Sequence, residues 1–395
     1  MAEAFVVDGV RTPIGRYGGV LSSVRADDLA ALVIGELVAR TAIDPAAIDD
    51  VVFGDANQAG EDNRNVARMA VLLAGLPDAI PGITVNRLCA SGLSAVHIAA
   101  AMVKSGEADI VLAGGVESMT RAPWVMAKPE KAFSKPGEVV DSSLGWRFVN
   151  PRLAARDKAT FSMTETGEYV GEREGISRDD ADAFALRSHT RALAAVAAGR
   201  FEAELVSVTT ARGDVVSADE GPRADTSLDV LARLRPVVAG GRIVTAGNSS
   251  PLNDGAAAVL VASESALERY GLTPRARIVG GASAGLAPEV MGLGPIPATR
   301  KLLDRTGRGI DQITAVELNE AFATQSLACI RALGFDDAIV NADGGAIALG
   351  HPLGASGTRL LVTLLGRMER ENAGLGLATM CVGVGQGAAL LVESV

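Results

Sequence analysis

Three cysteines and three histidines are all that 395 residues contain of either type. Cys89, Cys329 and Cys381 lie far apart, so a disulfide framework is not expected. No Cys-x-x-Cys or His-x-x-x-His spacing offers a metal a site either. Isolated thiols of this kind fit a reduced, cytoplasmic protein in which one of them does chemistry. No long basic run occurs and the net charge is −10, which argues against a nucleic-acid partner. Local arginines and helix N-termini can still receive an anion. No uninterrupted apolar stretch reaches about 18 residues, so no membrane partner is expected. Met1–Asp8 has no basic region or cleavage site and reads as a strand, not a signal peptide. The nucleophile-elbow pattern around a serine is missing, which disfavours a Ser-His-Asp hydrolase.

Aromatics are scarce at 4% while glycines number 45, a combination that favours helices packed closely on sheets. With 48% hydrophobic and 21% charged residues the chain is a compact globule, and its length suggests two or three domains. The first 120 residues alternate strand and helix signals. Strands are expected at Ala4–Asp8, Val51–Gly54, Ile83–Val85 and Ala108–Ala113, and helices at Ala26–Thr41, Asn65–Leu73 and Ser91–Ser105. The last 120 residues replay the order. Ala276–Gly280, Ile313–Leu318, Ile339–Asn341, Ser356–Arg367 and Gly376–Met380 answer five of the earlier segments. The predicted fold is therefore α/β, two copies of one layered unit with helices packed between two sheets. The middle breaks the rhythm. It holds one clear helix at Arg178–Ala198, and Ala256–Ala262 reads as a strand returning to the first unit.

Cys89 lies in Asn86-Arg87-Leu88-Cys89-Ala90-Ser91-Gly92, between a strand and the mouth of a helix. The macrodipole and free N–H groups there favour a thiolate, lowering its pKa and making it an acyl acceptor. An inert core cysteine is the other reading. His351 sits in a glycine-rich loop between Gly350 and Pro352, open to a ligand. An imidazole so placed can take a thiol proton and then donate to an oxyanion. His97, inside a helix, reads as a packing residue, and His189, on a polar helix face, as a solvated one. Cys381 precedes Gly383, Gly385 and Gly387, whose N–H groups can form an oxyanion hole. A tight strand-to-strand turn is the plainer reading, and no helix with a downstream acid follows to support a nucleotide loop. Cys329 reads as helix core. Asn319 follows the strand Ile313–Leu318, where polar groups in α/β folds face the crevice. It either anchors a water or caps a helix.

Asn86–Gly92, Asn319–Phe322, Gly344–Gly357 and Cys381–Gly387 together resemble, in order and spacing, the motifs of the thiolase family, over essentially the whole chain. The resemblance implies a five-layered α-β-α-β-α fold. One unit would be 1–120 plus 247–272, a coenzyme A-binding loop domain 121–246, and a second unit 273–395. It implies Cys89 as the nucleophile that carries the acyl group. His351 would activate it and donate to an oxyanion, with Asn319 holding a water in the same hole. Cys381 would be the acid/base at the carbon of the bond made or broken. The N–H groups of Cys89 and Gly383 would form a second hole. Met163 and Arg223 fall at positions lining the pantetheine and nucleotide parts of the coenzyme A site, Ser250 at a pantetheine contact, and Phe322 at the tunnel wall. No permanently bound cofactor is implied; coenzyme A and acyl-CoA are substrates, and the family assembles as homodimers or homotetramers.

Arg11–Gly19, Asn57–Met69 and Gly145–Pro151 resemble the branch of the family that cleaves 3-oxoadipyl-CoA in aromatic degradation. An acetoacetyl-CoA or general 3-oxoacyl-CoA thiolase is the alternative, and a catalytically silent acyl-CoA-binding relative the alternative of another class. Ala90, Ser249, Pro251, Asp343 and Thr164–Gly167 depart from the usual pattern. A dicarboxylic substrate requires a cationic or polar end to its pocket, and the motifs single out no residue for it.

Overall fold

The computed structural model describes residues 2–395. The first lobe runs through β1 (Ala4–Arg11), α1 (Ala26–Thr41), β2 (Asp50–Gly54), α2 (Val66–Leu73), β3 (Ile83–Val85), α3 (Ser91–Ser105) and β4 (Ile110–Ser118). A long excursion carrying α4 (Met163–Arg173) and α5 (Arg178–Ala197) follows, and β5 (Asn253–Ser263) closes the lobe. The second lobe is β6 (Ala276–Gly285), α6 (Pro295–Thr306), β7 (Ala315–Leu318), α7 (Ala323–Leu333), α8 (Leu353–Glu371), β8 (Leu375–Val382) and β9 (Gln386–Ser394).

The strands form one sheet in the order β7-β8-β9-β6-β1-β5-β4-β2-β3, with the two-residue strand Gly15–Arg16 paired to β5 off this path. The repeat is visible in the pairing. β2–β4 and β7–β8 are parallel, while β4–β5–β1 and β8–β9–β6 are antiparallel. The two lobes are not separate sheets. Phe5–Arg277 and Val6–Ala276 pair β1 with β6 and join them at a seam. α3 and α8 lie side by side between the lobes, in a core that includes Val96, Leu360, Val111, Val259, Ala378 and Leu390. α1 and α2 cover the outer face of the first lobe, and α6 and α7 that of the second. Five layers result. Leu88–Ser105 is, by length and apolar composition, a stretch that could cross a membrane, but it is the α3 core helix, enclosed on both sides.

Glycine sets how closely the two central helices approach. A Cβ on Gly92 would stand 2.5 Å from the Gly354 carbonyl oxygen and 2.6 Å from Thr358 Oγ1. A Cβ on Gly357 would stand 2.4 Å from the Leu93 nitrogen. Gly92→Ala is therefore expected to destabilise the fold by about 1–3 kcal/mol, the range for overpacking a dense core. Urea unfolding checks this; an unchanged midpoint would mean the helices can separate freely.

Several expectations need correction. Ile339–Asn341 does not form a strand; Asp337–Ile339 is a 3-10 turn, and only Val340 bridges to Val316. Asn341 replaces the missing ladder with its own side chain. Its φ of 48° is left-handed, and its amide accepts from the Leu318 N–H and donates to the Leu318 carbonyl, both at 2.8 Å. The strand expected at Ala108–Ala113 starts later and runs through Gly114 and Gly115 to Ser118, because glycine lets Gly354 approach: a Cβ on Gly115 would stand 2.0 Å from its carbonyl oxygen. Besides the expected helix, the excursion holds α4, opened by a capping box between Ser162 and Glu165, and the short helices Pro151–Ala154 and Leu228–Ala232.

Candidate active site

Cys89 sits on a strained turn just ahead of α3. Leu88 before it has φ 47°, a left-handed value uncommon for a branched residue, and Ala90 is the N-cap. Ser91 pins the turn: its hydroxyl accepts from the Arg87 N–H and donates to the Leu88 carbonyl. Cys381 arrives from the other lobe, next to last in β8. After it the chain reverses tightly into β9, so the plainer turn reading of Gly383–Gly385 also holds. Within that turn Val384 has φ 61°, strained for a β-branched side chain. The N–H of the neighbouring Gly383, like that of Cys89 itself, acts as a hydrogen-bond donor that lowers the pKa of the Cys89 thiol.

His351 is buried between the same walls. Its backbone N–H donates to Asn253 Oδ1 at 2.8 Å, and its Nδ1 lies 2.6 Å from Ser356 Oγ. The Ser356 hydroxyl donates its one proton to the Pro352 carbonyl at 2.8 Å, leaving an oxygen that can only accept. Nδ1 must therefore carry the ring proton, and Nε2 keeps its lone pair. Nε2 faces Asn319 Nδ2 at 3.3 Å. The remaining atom of that amide, Asn319 Oδ1, is buried without a protein partner.

Cys89, His351, Cys381 and Gly383 line one cavity of about 280 Å³, together with Met163, Ser250 and Phe322. Ser250 Oγ donates to the Ala321 carbonyl at 3.2 Å. Gly167 is explained by Phe322: a Cβ there would stand 2.8 Å from the ring. Asn319 acts from behind His351 rather than from the wall. Arg223 is exposed and outside this lining, and its backbone N–H donates to His189 Nδ1. A larger groove of about 630 Å³ lies at the C-terminal end of α3 beside His97 and Lys104, and contains none of the paired reactive groups.

The electrostatics reverse one expectation. Cys89 is not held as a thiolate at rest: burial pushes its thiol up to about 11, and the two N–H groups aimed at the sulfur offset only part of that. The residue is partly buried as a whole and lines the cavity. Burial, then the neighbouring Cys89 and Cys329, raise Cys381 well above the ordinary range. Burial, then Arg359, lowers His351 to about 3. The resting site is thus two neutral thiols and a neutral imidazole whose unprotonated Nε2 faces the Asn319 amide.

Other readings also change. His189 is buried rather than solvated, and burial lowers it to about 4. Asn319 does not cap a helix; the N-cap of α7 is Phe322. Asp343 is fully buried and pairs with Arg200 at 2.7 Å and with Arg370, which accounts for an acid at that position. Cys329 is core, its thiol donating to the Gly292 carbonyl. Asn253, Ser356, Leu88 and Val384 support the site without having been singled out. Ser356 lay inside the Gly344–Gly357 motif, whereas the left-handed residues carry no sequence signal, being neither glycine nor asparagine.

The profile of the thiolase N-terminal domain matches residues 4–265, and that of the C-terminal domain residues 272–394. The chain belongs to the thiolase family. It is 56% identical to the β-ketoadipyl-CoA thiolase of Pseudomonas aeruginosa, covering 100% of this chain and 99% of that one. It is 54% identical to the 3-oxoadipyl-CoA/3-oxo-5,6-dehydrosuberyl-CoA thiolase of Escherichia coli, over 100% of both. The human mitochondrial 3-ketoacyl-CoA thiolase in complex with CoA superimposes with a TM-score of 0.93 at 36% identity, covering 100% of this thiolase and 98% of that chain.

Proposed function

We propose that this thiolase cleaves 3-oxoadipyl-CoA with coenzyme A to acetyl-CoA and succinyl-CoA, and can run the reverse condensation. The observation that carries the chemistry is the meeting in one cavity of two thiols from different lobes with an imidazole whose Nε2 carries no proton. Full-length likeness to β-ketoadipyl-CoA thiolases supports the substrate.

The Cys89 thiol gives its proton to His351 Nε2 as the sulfur attacks the 3-oxo carbon. The oxyanion formed on that carbon faces the N–H groups of Cys89 and Gly383. The C2–C3 bond then breaks and its electron pair moves to C2, giving the enolate of acetyl-CoA. That enolate oxygen is stabilised by His351 and a water held by Asn319. Cys381, kept protonated by its burial, supplies the proton to C2. Coenzyme A next attacks the succinyl-Cys89 thioester and releases succinyl-CoA, so two half-reactions alternate. Met163, Ser250 and Phe322 form the pantetheine wall, and Arg223, at the surface, remains free to meet the nucleotide end. Residues 121–246 form the coenzyme A-binding excursion. No resident cofactor takes part.

Three free thiols suit a reducing cytoplasm. Met69, Leu72, Leu73 and Ile83 are exposed apolar residues on α2 and the edge strand β3, which supports assembly as a dimer or tetramer.

A thiolysis panel of 3-oxoadipyl-CoA, acetoacetyl-CoA and longer 3-oxoacyl-CoAs tests the reading. The highest kcat/KM is expected for 3-oxoadipyl-CoA. Preference for long chains overturns the substrate, and no thiolysis of any ester overturns the activity.

A further inference from the structure

The wall of the cavity that holds both thiols contains one guanidinium, that of Arg147. It belongs to the excursion and is fixed in place by the first lobe. Arg147 Nη1 donates to the Ser142 carbonyl at 3.2 Å and Nη2 to Asn57 Oδ1 at 3.1 Å. Asn57 is itself buried and immobilised. Its amide donates to the Ser142 carbonyl and hydroxyl, and its backbone N–H to Asp55 and Glu117. Next to it, Trp146 Nε1 donates to the Phe161 carbonyl at 3.1 Å, anchoring the loop.

Two features leave this arginine of the cavity wall open to an anion. Both of its acceptors are neutral, an amide and a peptide carbonyl. Arg121 and Arg178, also half-buried, are instead matched by Glu61 and Asp182. Its two hydrogen bonds also use only two of five N–H donors, so a planar fork remains available to a ligand. The nearest acids in the network, Asp55 and Glu117, stand behind Asn57. Burial pushes both upward, joined by repulsion from Glu117 at Asp55 and from Asp62 at Glu117, so the pair retains a proton near neutrality. Apart from Arg147, the lining offers an acyl chain mostly apolar or hydroxyl surface, from Leu88, Met119, Leu144 and Ser143. Among the described residues, a terminal carboxylate has no other cation there to meet.

We propose that Arg147 is the specificity-determining residue of this site, receiving the far carboxylate of a dicarboxylic acyl chain while Cys89 attacks its 3-oxo carbon. This rests on the thiolase reading above. The same arginine penalises a chain ending in a methyl group, which would have to desolvate the guanidinium without pairing it.

The test compares kcat/KM for 3-oxoadipyl-CoA with that for 3-oxohexanoyl-CoA, which has a methyl in place of the carboxylate. Wild type, Arg147→Gln and Arg147→Lys are measured. The ratio is taken within one protein, so a partly misfolded sample does not change it. Wild type is expected to favour the carboxylate. In Arg147→Gln the ratio should fall roughly ten- to hundredfold, the scale of a lost charge-assisted pair. Arg147→Lys should recover part of it, keeping charge without the fork. An unchanged ratio in Arg147→Gln, or an equal loss on both substrates, overturns the inference. Equal cleavage of both esters by wild type overturns it while leaving the thiolase reading intact. Failure to cleave either ester removes the thiolase reading and this inference with it.

Discussion

Cys89→Ala is expected to abolish acyl-enzyme formation and to lower thiolysis by roughly 10⁴-fold or more, the scale on which losing a covalent nucleophile acts. Its position makes no other group a substitute. In the proposed mechanism the N–H groups of Cys89 and Gly383, which both act on the Cys89 thiol, receive the oxyanion beside Cys89. Cys381 is nearby but buried, and its thiol is pushed higher still by Cys89 itself. Removing the Cys89 sulfur should leave the fold intact, since the turn is held by Ser91 rather than by the thiol. Stopped-flow release of coenzyme A from an acyl-CoA donor, with circular dichroism as the control for folding, checks both halves. A residual burst from folded Cys89→Ala would mean that another nucleophile takes the acyl group.

Cys381→Ala should split the reaction. Acyl transfer to Cys89 needs only the thiol, His351 and the hole, so it should proceed within a few-fold of wild type. Carbon–carbon cleavage and condensation need a proton delivered to C2 or removed from it. They should fall roughly 10²- to 10⁴-fold, the usual worth of a positioned acid or base. Exchange of label between acetyl-CoA and coenzyme A reports the first step, and thiolysis of 3-oxoadipyl-CoA the second. Equal loss in both assays would show that the two thiols act as one unit and that the division of roles is wrong.

Much of this site is legible in the sequence because its reactive groups sit in short, glycine-marked segments. Cys89 precedes an evident helix, Cys381 an alternating glycine run, and His351 a Gly-His-Pro turn. The repeat places the first in one lobe and the other two in the second, and the fold brings them to one cavity. The protonation state of the site is not legible. A helix mouth argues for a thiolate at Cys89, but burial is a tertiary property, and it outweighs the local N–H groups. His189 misleads in the same way, its polar helix face being covered by the rest of the molecule. Asn341 hides a strand position because a side chain, not the backbone, completes the ladder. The role of Arg147 is illegible for a different reason. Its segment, Gly145–Pro151, marks the branch, but nothing in it says that Arg147 faces the cavity until Asn57, 90 positions earlier, holds it there.

The atom that becomes acylated is the most direct test of the proposed chemistry. The intact mass of the wild-type chain after mixing with succinyl-CoA, followed by peptide mapping, reads it. One succinyl group per chain, on Cys89, and the same adduct in Cys381→Ala, is the predicted result. An adduct on Cys381, or none on a folded protein, would contradict it.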